Sequence, residues 1–137
     1  MIKGIGHLAF EVKDMDKSMD FYCNALGLKK AFDLRDEKGN PFIQYLKVSE
    51  NQFIELFYAK VDKEKANGDR SYSHMCLEVD DIYKTVESIR SKGVHIDSEP
   101  VRGKDLNYQS WIRDPDGNRI ELMQMDPDSP QAKSKNL

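Results

Sequence analysis

Apolar and polar positions change period several times along the chain, and the order of changes in the first half returns in the second. From 5 to 12 the two kinds alternate, with His7, Ala9 and Glu11 on one face, which predicts a β-strand. From 14 to 26 the spacing becomes helical. Met15, Met19 and Tyr22 share a stripe with Phe21, Ala25 and Leu26 beside it, Asp14 stands where a helix is capped, and Gly27 where one stops. Strands are predicted over 28–34, 42–48 and 53–58, separated by a charged turn at 36–40 and a second turn at 50–51. One unit therefore reads β-α-β-β-β.

The polar stretch 61–70 reads as a linker, after which the same order returns. A strand over 72–79 is followed by a helix that Asp81 caps, with Ile82, Val86 and Ile89 on its stripe and Gly93 as its stop. Further strands are expected to begin at 94–96 and to cover 109–112 and 119–125, with Asp114-Pro115-Asp116-Gly117-Asn118 as a tight turn that needs glycine at positive φ. Residues 127–137 lack an apolar period and read as a frayed tail. The repeat predicts an α+β fold in a single domain over 1–126. Two βαβββ repeats, about 4–60 and 71–126, would pair into a curved, partly open barrel with helices outside.

Four polar residues interrupt these apolar strands. Glu55 lies in the run Phe53-Ile54-Glu55-Leu56-Phe57 and Glu121 in Ile120-Glu121-Leu122-Met123, while His7 and His74 sit in Gly6-His7-Leu8-Ala9-Phe10 and Ser73-His74-Met75-Cys76-Leu77. Burying an ionised carboxylate costs several kcal/mol unless a cation or strong donors meet it. His7 precedes Glu55 by 48 residues and His74 precedes Glu121 by 47, so each copy of the repeat carries one His and one Glu. One divalent ion held by two imidazoles and two carboxylates would satisfy all four groups. Phe53, Phe57, Tyr45, Trp111 and Met123, with Cys76 on the face of His74, are candidates for an apolar substrate pocket; each is also an ordinary core residue. Glu11 and Glu78 repeat on the histidine faces and read as supporting or rim residues. His95, with no counterpart, reads as solvated.

Composition narrows the class of partner. The 137 residues carry 21 Lys and Arg against 24 Asp and Glu, a net charge of −3 with both signs interspersed, which argues against a nucleic-acid surface. Two cysteines, Cys23 and Cys76, provide no disulfide framework. Neither a secretory leader nor a membrane-spanning apolar run is visible, so a cytoplasmic protein with no membrane partner is expected.

The opening His7-Leu8-Ala9-Phe10-Glu11-Val12 with Phe21-Tyr22 and Leu26-Gly27-Leu28, the second opening His74-Met75-Cys76-Leu77-Glu78-Val79, and the run Asp114-Pro115-Asp116-Gly117-Asn118-Arg119-Ile120-Glu121-Leu122 resemble the vicinal oxygen chelate superfamily. That superfamily includes glyoxalase I, bleomycin-resistance proteins and extradiol dioxygenases, and the resemblance covers about residues 4 to 126. Within it, the ligand order His7, Glu55, His74, Glu121 is similar to glyoxalase I. The resemblance implies a metal-dependent isomerase or lyase acting on an α-oxo substrate, or its thiol adduct, through a metal-bound enediolate, with Glu121 or Glu55 as the base. It also implies one divalent metal ion (Ni, Zn or Co before Mn or Fe), a small-molecule substrate, and a homodimer with a shared site. One departure is specific. Bacterial glyoxalases I that use glutathione resemble one another in an Arg four residues after the first His and an Asn four after the first Glu, where this chain has Glu11 and Ala59. A drug- or metabolite-binding protein without catalysis is the alternative from another class. An Fe(II) ring-cleaving dioxygenase is a third, which a fourth protein ligand at Glu55 would obstruct.

Overall fold

A computed structural model describes residues 5–59 and 74–134. The chain forms two compact units that divide at Asp69 and Arg70. The division falls in the stretch read as a linker, which lies outside the described residues.

The first unit runs β1 (His7–Val12), α1 (Met15–Met19), β2 (Lys29–Arg35), β3 (Pro41–Ser49) and β4 (Gln52–Tyr58). Its sheet has the order β1-β4-β3-β2, with β1 parallel to β4 and the other pairs antiparallel. The second unit runs β5 (Met75–Glu78), α2 (Ile82–Ser91), β6 (Ile96–Arg102), β7 (Tyr108–Arg113) and β8 (Arg119–Gln124), in the corresponding order β5-β8-β7-β6 with β5 parallel to β8. The α+β class and the twofold βαβββ repeat expected from the sequence are what the chain adopts.

Alternation decides which face of each sheet is core. In the first unit Phe10 and Val12 lie in register with Leu56 and Tyr58, and Leu46 with Ile54; Val12, Leu46, Ile54 and Leu56 are almost wholly buried. In the second, Met75, Ile112, Ile120 and Leu122 fill the equivalent face, and α2 turns its buried Ile82, Val86 and Ile89 toward β6, β7 and β8. The odd-numbered positions of β1 and β4 therefore share the opposite face, as do Arg119, Glu121 and Met123 of β8.

The helices begin as expected. The Asp14 and Asp81 carboxylates accept from the backbone N–H groups of Lys17 and Lys84, both at 3.0 Å, satisfying donors that a first turn leaves open. The first helix differs after one turn. From Asp20 to Ala25 it widens to π-helical bonding, and Leu26 N–H donates to the Phe21 carbonyl at 2.9 Å. Phe21, Tyr22 and Ala25 are all buried over this stretch, a wider apolar face than the Met15–Met19–Tyr22 stripe alone.

Three other boundaries differ from the sequence reading. His74 stands one residue ahead of β5, and Tyr72 and Ser73 of the expected strand lie outside the described residues. β6 continues to Arg102 through Pro100, which the sheet accepts because β6 is an edge strand. The stretch from 127 is not simply frayed: α3 (Pro130–Lys133) forms there, with the buried Ser129 accepting from Ala132 N–H at 3.1 Å. Among the described residues no helix is long and apolar enough to cross a membrane.

Candidate metal centre

The parallel pairing inside each unit sets the distance from histidine to carboxylate. In the first unit Ala9 of β1 lies in register with Glu55 of β4, so His7 sits two residues before the carboxylate's partner, on the same face. In the second unit Cys76 lies in register with Glu121, and His74 again sits two residues earlier. The outcome is the same in both: His7 Nε2 is 3.5 Å from Glu55 Oε1, and His74 Nε2 is 3.2 Å from Glu121 Oε2. The sequence repeat is thus also a repeat of geometry.

The carboxylates are the covered members of these pairs. Side-chain exposure is 7% for Glu55 and 15% for Glu121, against 53% for His7 and 34% for His74. Two donors each about 2.1 Å from an ion lie about 3.0 Å apart at a right angle and about 3.4 Å apart at a tetrahedral one. The His74–Glu121 pair falls within that range and the His7–Glu55 pair just above it, and imidazole with carboxylate is a donor set that suits divalent ions. Among the described residues no three His, Cys, Asp or Glu side chains are gathered closely enough to hold a metal ion. Each unit holds one His–Glu pair.

Next to each carboxylate, across the antiparallel pairing, stands an aromatic residue. Tyr45 of β3 lies in register with Glu55, and Trp111 of β7 with Glu121. The neighbouring Glu55 carboxylate as an acceptor, then desolvation and that carboxylate's charge, push the Tyr45 phenol above its ordinary value. Trp111 meets His74 edge-on at 4.9 Å between ring centroids, and the Arg119 guanidinium lies 4.2 Å over its ring. Desolvation, with the carboxylates of Glu121, Glu78 and Asp105, pushes the Cys76 thiol up to about 12. At neutral pH Cys76 is a neutral thiol beside Glu121 rather than a thiolate.

Of the other sequence-identified residues, Phe53 and Phe57 flank Glu55 on its own face, and Met123 lies two positions from Glu121 on that carboxylate's face. Glu11, in register with Phe57, is exposed at the end of β1, and Ala59 follows β4 with its N–H donating to the Val12 carbonyl. His95 is solvated, 3.9 Å from Asp97, as expected. Phe32 was missed. It is 46% exposed and stacks on Tyr45, with 4.2 Å between centroids and 19° between planes. Irregular pairing between Lys30 and Phe32 decides which way its ring points, and the sequence carries no signal of that irregularity.

Comparison with known proteins places this geometry. "Probable lactoylglutathione lyase" of Synechocystis sp. is 38% identical over 122 residues, covering 86% of this chain and 92% of that protein. The lactoylglutathione lyase of Escherichia coli O157:H7 is 34% identical over 128 residues, covering 86% and 90%. Among solved structures, TnmS3, an antibiotic binding protein from Streptomyces sp. CB03234, superposes with a TM-score of 0.72 at 23% identity, over 91% of this chain and 98% of that one, so the fold is shared with a protein of another role. The sequence profile of the Glyoxalase/Bleomycin resistance protein/Dioxygenase superfamily matches residues 4–122, and this chain belongs to that superfamily.

Proposed function

We propose that the chain is a metal-dependent isomerase or lyase of glyoxalase I type, acting on an α-oxo compound or its thiol adduct. The observation that carries the reading is the twice-built His–Glu pair, 3.5 and 3.2 Å across, in the same register in both units. His7, Glu55, His74 and Glu121 are the four ligands, one pair from each unit, supplied by one chain or by the two chains of a homodimer. A divalent ion held there supplies positive charge that acidifies the C–H bond next to a carbonyl.

The residues supply the rest. A Glu121 oxygen takes the proton from the carbon beside the carbonyl as the C–H electron pair shifts toward the carbonyl oxygen. The same oxygen then returns the proton to the neighbouring carbon. The product is an isomer of the substrate, so no oxidant or reductant is needed. Phe53, Phe57, Tyr45, Trp111 and Met123 exclude water from the reacting carbons, which strengthens each charge interaction there. Glu11 and Ala59 stand where the family resemblance gives glutathione-using members Arg and Asn, which argues against the glutathione hemithioacetal and leaves a different thiol adduct or α-oxo compound at least as plausible a substrate.

Two substitutions test the roles. Glu121→Gln keeps the shape and one ligating oxygen but cannot accept a proton. It is expected to retain the metal while turnover falls about 10²–10⁴-fold, the usual contribution of a positioned base. His74→Ala removes a ligand without a substitute and is expected to lose metal and activity together. Near-full turnover in Glu121→Gln would remove Glu121 from the base role, and near-full turnover in both Glu→Gln variants would end carboxylate-base chemistry.

A further inference from the structure

Beside each carboxylate stands an aromatic ring, and the two units cover that ring differently. Tyr45 lies in register with Glu55 and Trp111 with Glu121. In the first unit a second aromatic ring, Phe32, stacks on Tyr45. In the second unit a cation takes that part: the Arg119 guanidinium lies 4.2 Å over the Trp111 ring, and the same ring meets His74 edge-on at 4.9 Å. Contacts thus run from Glu121 through His74 and Trp111 to Arg119, and end in an exposed positive charge. Arg119 stands two positions before Glu121 in β8, on the same face and about 6.6 Å along the strand. The residue two positions before Glu55 is Phe53, so the repeat itself calls for no cation at this place.

We propose that Arg119 is a specificity-determining residue of this site, selecting a substrate that carries a carboxylate two or three carbons beyond its α-oxo group. The inference rests on the metal-dependent reading above and deepens it by giving the substrate a charge. A guanidinium over an indole face is held by cation–π attraction, and its planar fork of N–H donors matches the two oxygens of a carboxylate. The ring contact also restrains a long side chain, which lowers the entropy that a ligand's arrival costs.

The probes are the monohydroxamates of succinic and glutaric acid, which offer two neighbouring oxygens to a divalent ion at one end and a carboxylate at the other. The corresponding ω-amides are the uncharged controls. Binding to Co²⁺-loaded protein is read from the visible Co²⁺ absorption, with no turnover needed. Wild type is expected to bind at least one acid about 5–20-fold more tightly than its amide, a preference that shrinks as salt rises. In Arg119→Gln that preference is expected to be lost while the amides bind as they do to wild type. Four results overturn the inference and leave the metal-dependent reading intact: acids and amides bound equally by wild type, a wild-type preference indifferent to salt, a preference that Arg119→Gln keeps, or an equal loss for acids and amides in that variant. The last is what Arg119 produces if it only props Trp111 against His74. Wild-type protein that takes up no Co²⁺ overturns the metal-dependent reading and this inference with it.

Discussion

Replacing Glu11 by Arg is expected to open the chain to the methylglyoxal–glutathione hemithioacetal. Glu11 is the last residue of β1 on the face of His7, two positions beyond Ala9, the register partner of Glu55, and it is exposed. The relevant dielectric is therefore close to that of water, in which two unit charges about 4 Å apart interact by about 1 kcal/mol. Changing one such repulsion of a glutathione carboxylate into one attraction is worth about 2 kcal/mol, or about 30-fold in kcat/KM. The contact lies away from the reacting carbons, so it binds ground and transition states alike, and the gain falls on KM rather than kcat. Being solvent-exposed, it weakens as salt rises. The assay is steady-state turnover of the hemithioacetal by wild type, Glu11→Arg and Glu11→Arg with Ala59→Asn, at low and high ionic strength. Wild type is expected to turn this adduct over poorly. Robust wild-type turnover with micromolar KM, or a Glu11→Arg variant no better than wild type, would refute the argument that charge at this position selects the substrate.

Mixing two inactive variants tests the homodimer with a shared site. His7→Ala and His74→Ala, co-refolded, are expected to regain about a quarter of wild-type activity if each site takes one unit from each protomer, since half the dimers are mixed and one of their two sites is intact; no recovery places the four ligands in one chain. The stability of the second unit offers an independent check. The buried Asp114 carboxylate accepts from Asp116 N–H, Asn118 N–H and the Asn118 amide, at 3.0, 2.8 and 2.8 Å. Asp114→Ala is expected to cost about 2–4 kcal/mol in urea unfolding, and Asp36→Ala, in an exposed turn of the same residue pattern, much less; equal losses would show that burial of the turn is not what sets the cost.

Periodicity made the repeat legible. Val12 alternates with polar positions, Ile54, Leu56, Ile120 and Leu122 lie in apolar runs that one carboxylate each interrupts, and Asp14, Gly27, Asp81 and Gly93 mark where helices start and stop. His7, Glu55, His74 and Glu121 stood out because a polar residue in an apolar strand needs a partner, and the parallel register then supplied one within 3.5 Å in each unit. Features set by local irregularity were not legible. The π-helical turn over Asp20–Ala25 depends on how Phe21, Tyr22 and Ala25 are buried together, which a fixed helical period cannot express. Phe32 reached Tyr45 only through the irregular β2–β3 pairing. The α3 turn depends on Ser129, a single capping residue in an otherwise polar stretch.

One turn is reused in an unexpected place. Arg35-Asp36-Glu37-Lys38-Gly39-Asn40 joins β2 to β3, and Arg113-Asp114-Pro115-Asp116-Gly117-Asn118 joins β7 to β8, a different hairpin of the repeat. In both, the Asp carboxylate accepts from the Asn N–H at 2.8 Å, the Arg guanidinium donates to the Gly carbonyl, and the glycine has φ near 80°. The shared residues Arg-Asp and Gly-Asn code for a hairpin wherever an antiparallel pair needs closing. The hairpin motif is therefore independent of the repeat that positions the His–Glu pairs.

Metal uptake by these His–Glu pairs underlies everything proposed for the site. Protein purified without added metal, made metal-free with a chelator and then titrated with Ni²⁺, Zn²⁺, Co²⁺ and Mn²⁺, measures it directly by elemental analysis together with thermal unfolding. An ion that binds only the folded chain raises its stability by mass action. The account predicts about one divalent ion per chain at saturation, an unfolding temperature that falls on chelation and returns on reloading, and loss of both effects in His74→Ala. A chain that takes up none of the four ions, with an unfolding temperature indifferent to chelator, would contradict it.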